Sequence, residues 1–157
     1  MKGVENMKKM CFLMISLFLV FAAAGCGNNT RELNCSGVNP GTNMNAASNV
    51  KYVFENDKLT KAKFEVIFQD ITVENLSSLW GTFKTQFTEQ NEPVEEVGFK
   101  RTVKADDKNY TFSVILEIDF TKISKATMEK YGVEDSSSKT YDEIKKETTA
   151  DGIFTCK

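Results

Sequence analysis

The segment 110–120 constrains the fold of this chain more than any other, because its side chains alternate between apolar and mostly polar types. Successive side chains of a β-strand point to opposite faces, so this alternation predicts a long strand with one buried face. Ile115 lies among the polar positions, which predicts that the second face is partly covered. The apolar positions, which share one face of the predicted strand, are Tyr110, Phe112, Val114, Leu116, Ile118 and Phe120.

Three shorter segments show the same period of two. Segments 50–54 and 62–69 flank the turn residues 56–58, so they predict a β-hairpin. Segment 97–103 precedes the strand 110–120 across the polar turn 105–109, which predicts a second hairpin. Arg101 is unusual, because it falls on the face of its predicted strand that otherwise carries apolar residues.

The period changes to three and four residues over 73–90, which predicts an amphipathic helix. A short helix is expected over 121–131, ended by Gly132. Thr140 and Glu143 have the spacing of a capping box, which predicts a third helix ending near Gly152. Residues 153–156 are expected to form a short last strand or an extended segment. The inward positions of the first helix are Leu76, Leu79, Trp80, Phe83 and Phe87.

Long hairpins combined with separate helices predict an α+β fold. We expect an antiparallel sheet of long hairpins with about three helices packed on one face. The aromatic residues of the first helix, Trp80 included, suit a core contact better than a sugar-binding or other ligand surface.

The N-terminal residues predict a bacterial lipoprotein signal peptide over 1–25, with Cys26 as the lipid acceptor. Lys8 and Lys9 precede an apolar run of 14 residues, 11–24, which is shorter than the roughly 20 residues of a membrane-spanning helix. Small residues at 23–25 suit a peptidase that cuts before the cysteine. An ordinary signal peptide with a coincidental cysteine and an uncleaved anchor are the alternatives, and translation starts at Met1 or Met7.

The remaining chain divides at its change of composition. Residues 26–45 are rich in Asn, Gly, Ser and Thr, which predicts a lipid-anchored linker, and 46–157 form a single domain. Acyl chains such as palmitate on Cys26 would hold the protein on the outer face of the cytoplasmic membrane, so the membrane is its first expected partner. Residues 26–157 contain 17 Lys and Arg and 21 Asp and Glu, a net charge of −4. That charge argues against binding to nucleic acid.

Cys35 and Cys156 remain as a pair in an extracytoplasmic domain, which favours a disulfide between them. A redox pair, half of a metal site and two free thiols are the alternatives. The chain contains no histidine, which excludes Ser–His–Asp and Cys–His catalysis and the usual zinc sites. We therefore expect no metal and no cofactor.

Other residues offer weaker indications of chemistry. The acidic pairs Glu95–Glu96 and Asp106–Asp107 resemble residues that hydrolyse glycosides or bind calcium, but both occur at predicted turns or strand ends, where acidic residues are common. Arg101 suits either a buried anion-binding site or, as the more frequent case, a rim position or a salt bridge.

Several short motifs resemble those of the YehR-like family of small bacterial lipoproteins, and especially a Gram-positive branch of it. They are residues 33–35, 58–61, the strand 110–120, and the ending 141–146 with 155–157. The resemblance covers the whole mature chain and implies a compact α+β lipoprotein domain of unknown activity.

These observations favour a non-enzymatic module that binds an envelope protein or a small ligand. One alternative is an envelope hydrolase that uses carboxylates, which requires two acidic residues converging in a pocket. The other is a structural or accessory component of a transporter or an assembly complex, which requires an exposed apolar patch.

Overall fold

The computed structural model describes residues 29–157, so the predicted signal peptide and Cys26 lie outside the described residues. Seven strands and three helices form within this range. The strands are β1 Thr30–Pro40, β2 Asn45–Glu55, β3 Lys58–Gln69, β4 Val94–Glu96, β5 Phe99–Asp106, β6 Thr111–Asp119 and β7 Phe154–Cys156. The helices are α1 Leu76–Gln90, α2 Lys125–Tyr131 and α3 Tyr141–Thr149.

The seven strands form a single antiparallel sheet in the order β4-β5-β6-β3-β2-β1-β7. The predicted α+β class, the antiparallel sheet and the two long hairpins are confirmed. The two hairpins meet where β3 pairs with β6, from Lys61 opposite Asp119 to Phe68 opposite Phe112. The placement of all helices on one face stays a prediction.

The linker predicted over 26–45 is wrong for most of its length, because Thr30–Pro40 is β1, a strand inside the sheet. This strand pairs with β2 at every position and with β7 at its centre. Leu33 and Cys35, two residues apart, are 0% and 3% exposed, while the residues beside them are polar. Two apolar positions are too few to reveal a strand in the sequence, and its neighbours supply the rest of the burial.

A β-bulge in β3 changes which of its residues face the core. Val53 opposes Lys61 and Phe54 opposes Leu59, so Thr60 is the extra residue on β3. The Thr60 hydroxyl donates to the Val53 carbonyl at 3.1 Å, which satisfies this buried side chain. The bulge turns Leu59 and Ala62, three residues apart, toward the same core. That core contains Leu33, Cys35, Val50, Tyr52, Phe54, Leu59, Ala62 and Ile144.

Helix α1 packs against the sheet through stacked aromatic rings. The rings of Trp80 and Phe87 each lie 4.4 Å from the ring of Phe112, measured between centroids. Trp80 is 6% exposed, so its predicted role in the core is confirmed. Leu79, also predicted to face inward, is 42% exposed, because the helix meets the sheet along the line of Trp80 and Phe87.

The hairpin β4–β5 was not predicted. Val97, expected on the apolar face of a strand, is 75% exposed in the turn that joins these two strands. The next residue, Gly98, has φ +77°, and a Cβ there would lie 2.3 Å from the backbone nitrogen of Ile123. The turn therefore requires glycine both for its backbone conformation and for close packing against the segment before α2.

The end of α2 at Gly132 and the start of α3 at Thr140 are as the sequence predicts, whereas α2 begins at Lys125 and not at the expected residue 121. Ser124 caps α2 by accepting from the Thr127 amide, and Gly132 ends this helix in the left-handed conformation. Thr140 and Glu143 form the complete capping box at the start of α3. The predicted short last strand is β7, and Ile115 is 7% exposed, in agreement with a covered second face.

Candidate functional site

An apolar cleft of about 450 Å³ lies between the sheet, the segment 132–139 and α3. We call it the sheet cleft. Its volume falls within the range of about 300–1,000 Å³ that is typical of small-molecule sites. Its apolar lining includes Leu59, Phe64, Phe99, Leu116, Ile118 and Phe120.

Strand register brings the floor of the sheet cleft together. Phe64 opposes Leu116 on the neighbouring strand, and Leu116 opposes Arg101 on the next. Tyr131, at the end of α2, stacks on Phe99 with its ring centroid 4.4 Å away, and so closes one side. Phe64 and Leu116 therefore lie side by side on neighbouring strands and form the floor of the cleft. The cation Arg101 lies next to Leu116 on the third strand.

Helix α3 forms the opposite wall and places polar groups along it. Ile144, 4% exposed, anchors the helix on the core, which orients Thr148 one turn later toward the cleft. The hydroxyls of Thr148 and Tyr52 are hydrogen-bonded at 3.3 Å. Burial raises the pKa of Tyr52, so its hydroxyl stays protonated and can both donate and accept.

Lys139 joins two carboxylates at the edge of the sheet cleft. Its Nζ lies 2.8 Å from Glu147 Oε2 and 3.3 Å from Glu134 Oε1. The hydrogen bond to Glu147 is the main cause of a raised Lys139 pKa. The Leu59 amide donates to the Lys139 carbonyl at 3.3 Å, which ties this segment to the sheet. Glu134, Lys139 and Glu147 were not predicted as site residues, because they are separated along the chain and lie in polar sequence.

Arg101 lies at the rim of the sheet cleft. Its Nε donates to the Glu92 carbonyl at 2.8 Å, and its guanidinium carbon lies 6.0 Å from the centroid of the Tyr131 ring. Within residues 29–157 no carboxylate forms a salt bridge with it, unlike Lys139. Of the two roles considered for Arg101, the structure supports the rim position without the salt bridge.

The acidic pair Glu95–Glu96 does not converge on one point. Glu95 binds Lys100 at 2.9 Å. Glu96 accepts from Lys130 and Tyr131, both at 2.7 Å. The hydrogen bond from Lys130, followed by that from Tyr131, lowers the pKa of Glu96. Glu96 therefore ties β4 to α2.

The pair Asp106–Asp107 is also divided between two structural roles. Asp106 accepts from Asn109 within its own turn, and this hydrogen bond is the main cause of its lowered pKa. Asp107 accepts from the Trp80 indole at 2.7 Å and from Lys84 at 2.9 Å. The Trp80 hydrogen bond is the main cause of the lowered Asp107 pKa. The second pair therefore fastens α1 to the β5–β6 turn.

The two cysteines of the domain form the predicted disulfide. Cys35 and Cys156 are directly opposite in the β1–β7 register, and their sulfurs are bonded. The adjacent residues Asn34 and Lys157 exchange both backbone hydrogen bonds, so the cysteines occupy the closer, non-hydrogen-bonded pair of the ladder. The disulfide fastens the chain that follows α3 to the sheet.

Among residues 29–157, no group of three or more His, Cys, Asp or Glu side chains is arranged to bind a metal ion. The helices in this part of the chain include none with the length and apolar character needed to span a membrane.

Another depression, of about 400 Å³, is lined mainly by charged side chains such as Lys51, Lys63, Lys100 and Glu117. These three lysines are paired with Glu32, Glu117 and Glu95 respectively. The sheet cleft is the better candidate site, because it combines an apolar floor with few polar groups.

Comparisons with solved structures find two that align with this chain. The NMR structure of a protein from Streptococcus pneumoniae TIGR4 aligns with a TM-score of 0.54 and 9% identity, over 83% of this chain and 86% of that one. The NMR structure of the E. coli YehR protein aligns with a TM-score of 0.48 and 15% identity, over 82% of this chain and 92% of that one. No protein-family model and no curated protein sequence matches the chain. The first similarity supports the fold, and neither identifies an activity.

Proposed function

We propose that this protein is an extracytoplasmic lipoprotein, anchored through Cys26, whose domain binds a small apolar ligand in the sheet cleft without transforming it. The observation that carries the proposal is the cleft itself, with its aromatic and aliphatic floor. Ligand sites typically combine such a lining with a few polar groups that orient the ligand. Tyr52, Thr148 and Arg101 supply those groups here.

The start of β1 supports a close relation between domain and membrane. Thr30 already pairs with Glu55, and only three residues lie between Cys26 and Thr30, which are four positions apart. A fully extended chain of that length spans at most about 14 Å. If Cys26 carries the lipid, the sheet begins close to the bilayer surface, where apolar and amphiphilic molecules are concentrated.

Ligand binding can be tested on the full chain extracted from its native membrane. Native mass spectrometry should detect a retained small molecule, and filling the cleft with Phe64→Trp should reduce its occupancy at least several-fold. Val97→Trp is the matched control, because Val97 is 75% exposed and does not line the cleft. Equal loss of ligand in both variants, or no ligand in any sample and no binding of added apolar probes, would reject the proposal.

The anchor is tested separately by metabolic labelling with a fatty-acid analogue. Wild-type protein should incorporate the label, and Cys26→Ala should not. Label retained by Cys26→Ala would reject lipidation at this residue, whereas the result leaves the ligand experiment unaffected.

Hydrolysis is the second candidate function, because Glu134 and Glu147 do meet at the sheet cleft through their shared contact with Lys139. Their side chains are 80% and 55% exposed, and each is paired with the ammonium group of Lys139. A carboxyl group that acts as a general acid typically lies in an apolar, poorly solvated pocket, which is why we propose binding before hydrolysis. Turnover of chromogenic glycosides or esters that is lost in Glu147→Gln would reverse this order.

A further inference from the structure

Arg101 introduces a positive charge into an otherwise apolar part of the sheet. It lies on β5 between Phe99, which is 3% exposed, and Val103, and it opposes Leu116 on β6. Arginine is seldom placed against apolar surface unless its charged head reaches water or an anion. At the rim of the sheet cleft the charged head of Arg101 reaches water, and it lies beside the apolar floor.

The guanidinium of Arg101 is held in place but is not neutralised. The Glu92 carbonyl accepts from Nε, which uses one of the five N–H donors of the side chain. Within the described chain, no carboxylate oxygen lies within salt-bridge distance of it. Its position is thus fixed by the protein, while the donors on its two terminal nitrogens remain available to a ligand.

The other charges that line the sheet cleft balance one another locally. Lys139 is the second cation, and it is shared between the two carboxylates, Glu134 and Glu147. Arg101 is therefore the cation of the cleft that lacks a charged partner in this part of the chain. An anionic group beside the apolar floor would complement it through paired, charge-assisted hydrogen bonds.

Resting on the proposed binding function, we propose that the ligand is a single-chain anionic amphiphile. Its hydrocarbon chain lies over Phe64 and Leu116, and its anionic head is bound by Arg101. A carboxylate and a phosphate monoester share the required chemistry, so a free fatty acid and a lysophosphatidic acid are the two sources to compare.

The test uses photoreactive ligands and the full-length protein in its native membrane. A diazirine-bearing fatty acid, the corresponding lysophosphatidic acid and the methyl ester of the same fatty acid are added in parallel, and labelled peptides are mapped by mass spectrometry. We expect the two anionic probes to label peptides containing Phe64, Leu116 or residues 132–139. The neutral ester should label them about tenfold less, because it lacks the charge-assisted hydrogen bond.

Variants of Arg101 provide the second measurement. Arg101→Gln should lower labelling by the anionic probes about tenfold and labelling by the ester much less, because the ester has no charge for Arg101 to bind. Arg101→Lys should retain part of the labelling, because it keeps the charge but loses the paired donors. Lys104→Gln is the matched control, since it removes a charge from the same strand on the opposite parity.

The outcomes separate this inference from the function on which it rests. Equal labelling of the cleft by ester and acid in the wild-type protein would overturn the anionic head while leaving an apolar binding site. No labelling of cleft peptides by any probe would overturn both. Preferential labelling by one anionic probe would support the inference and identify the source of the anion.

Discussion

The region under α1 and the sheet cleft are both apolar parts of the same sheet, yet one is filled and the other is open. Helix α1 has 15 residues and places Trp80 and Phe87 in stacked contact with Phe112. Helices α2 and α3 have 7 and 9 residues, and the polar segment between them spans a gap that their side chains do not fill. The length of the covering helix and the size of its aromatic side chains therefore decide whether an apolar strand surface becomes core or stays open as a binding surface.

Removing the disulfide should have the largest effect on stability and should affect the two regions unequally. Cys35 and Cys156 close a loop with a sequence separation of 121 residues, for which the chain-entropy model gives about 4–5 kcal/mol, so replacing both with alanine should cost about that much. Hydrogen exchange should increase more in α3 and β7 than in α1, because the disulfide fastens the chain that follows α3. Ser36→Ala in the same strand is the control, and uniform loss of protection in all three helices would contradict the prediction.

Truncating one aromatic residue in each region tests the contrast directly. Trp80→Ala should cost about 3–5 kcal/mol, because it removes a buried ring. Phe64→Ala should cost only about 1–2 kcal/mol, because Phe64 is partly exposed in the cleft. Chemical denaturation monitored by circular dichroism measures both values. Equal costs would mean that the cleft is ordinary core.

The two regions also differ in how their helices begin. Thr140 caps α3 with a complete capping box, whereas the residue before α1 makes no capping hydrogen bond through its side chain. Thr140→Ala should therefore cost about 0.5–2 kcal/mol. Ser77→Ala, in the exposed first turn of α1, should change stability by only a few tenths of a kcal/mol. A loss from Ser77→Ala as large as that from Thr140→Ala would contradict this difference.

Acid should weaken the filled region through Asp107, and this is the smallest predicted effect. The pKa of Asp107 is lowered mainly by the hydrogen bond from Trp80, so its contribution is present above the pKa of about 3.9 of an unfolded aspartate. That contribution is lost as the pH falls through the lower pKa of the folded protein. The stability difference between wild type and Asp107→Asn should therefore shrink below about pH 4.

Fluorescence of the single tryptophan, Trp80, offers a local measurement of this titration. Its emission should change with acid in the wild-type protein and should be less sensitive in Asp107→Asn. Glu95→Gln removes a carboxylate from an exposed ion pair and is the control. A stability difference between wild type and Asp107→Asn that stays constant down to pH 2 would contradict the assigned role of Asp107.

Much of the fold was predictable because the signals are local. The alternation over 110–120 predicted β6, and the spacing of Thr140 and Glu143 predicted the start of α3. The strand β1 was missed, because only Leu33 and Cys35 mark its buried side. Of the candidate site, the sequence singled out Arg101 through its parity, but it did not single out Lys139 or Glu147, whose pairing depends on how α3 docks on the sheet.

The sequence by itself determined the periods of the strands and helices, the helix caps and the pairing of the two domain cysteines. These follow from contacts within a few residues or from a cysteine pair with no other partner in the domain. The tertiary structure alone decided that β1 joins the sheet, that β3 pairs with β6, and that a cleft remains beside Arg101. Those features depend on which apolar surfaces meet across long stretches of chain and on how completely the helices cover them, and no local pattern encodes either.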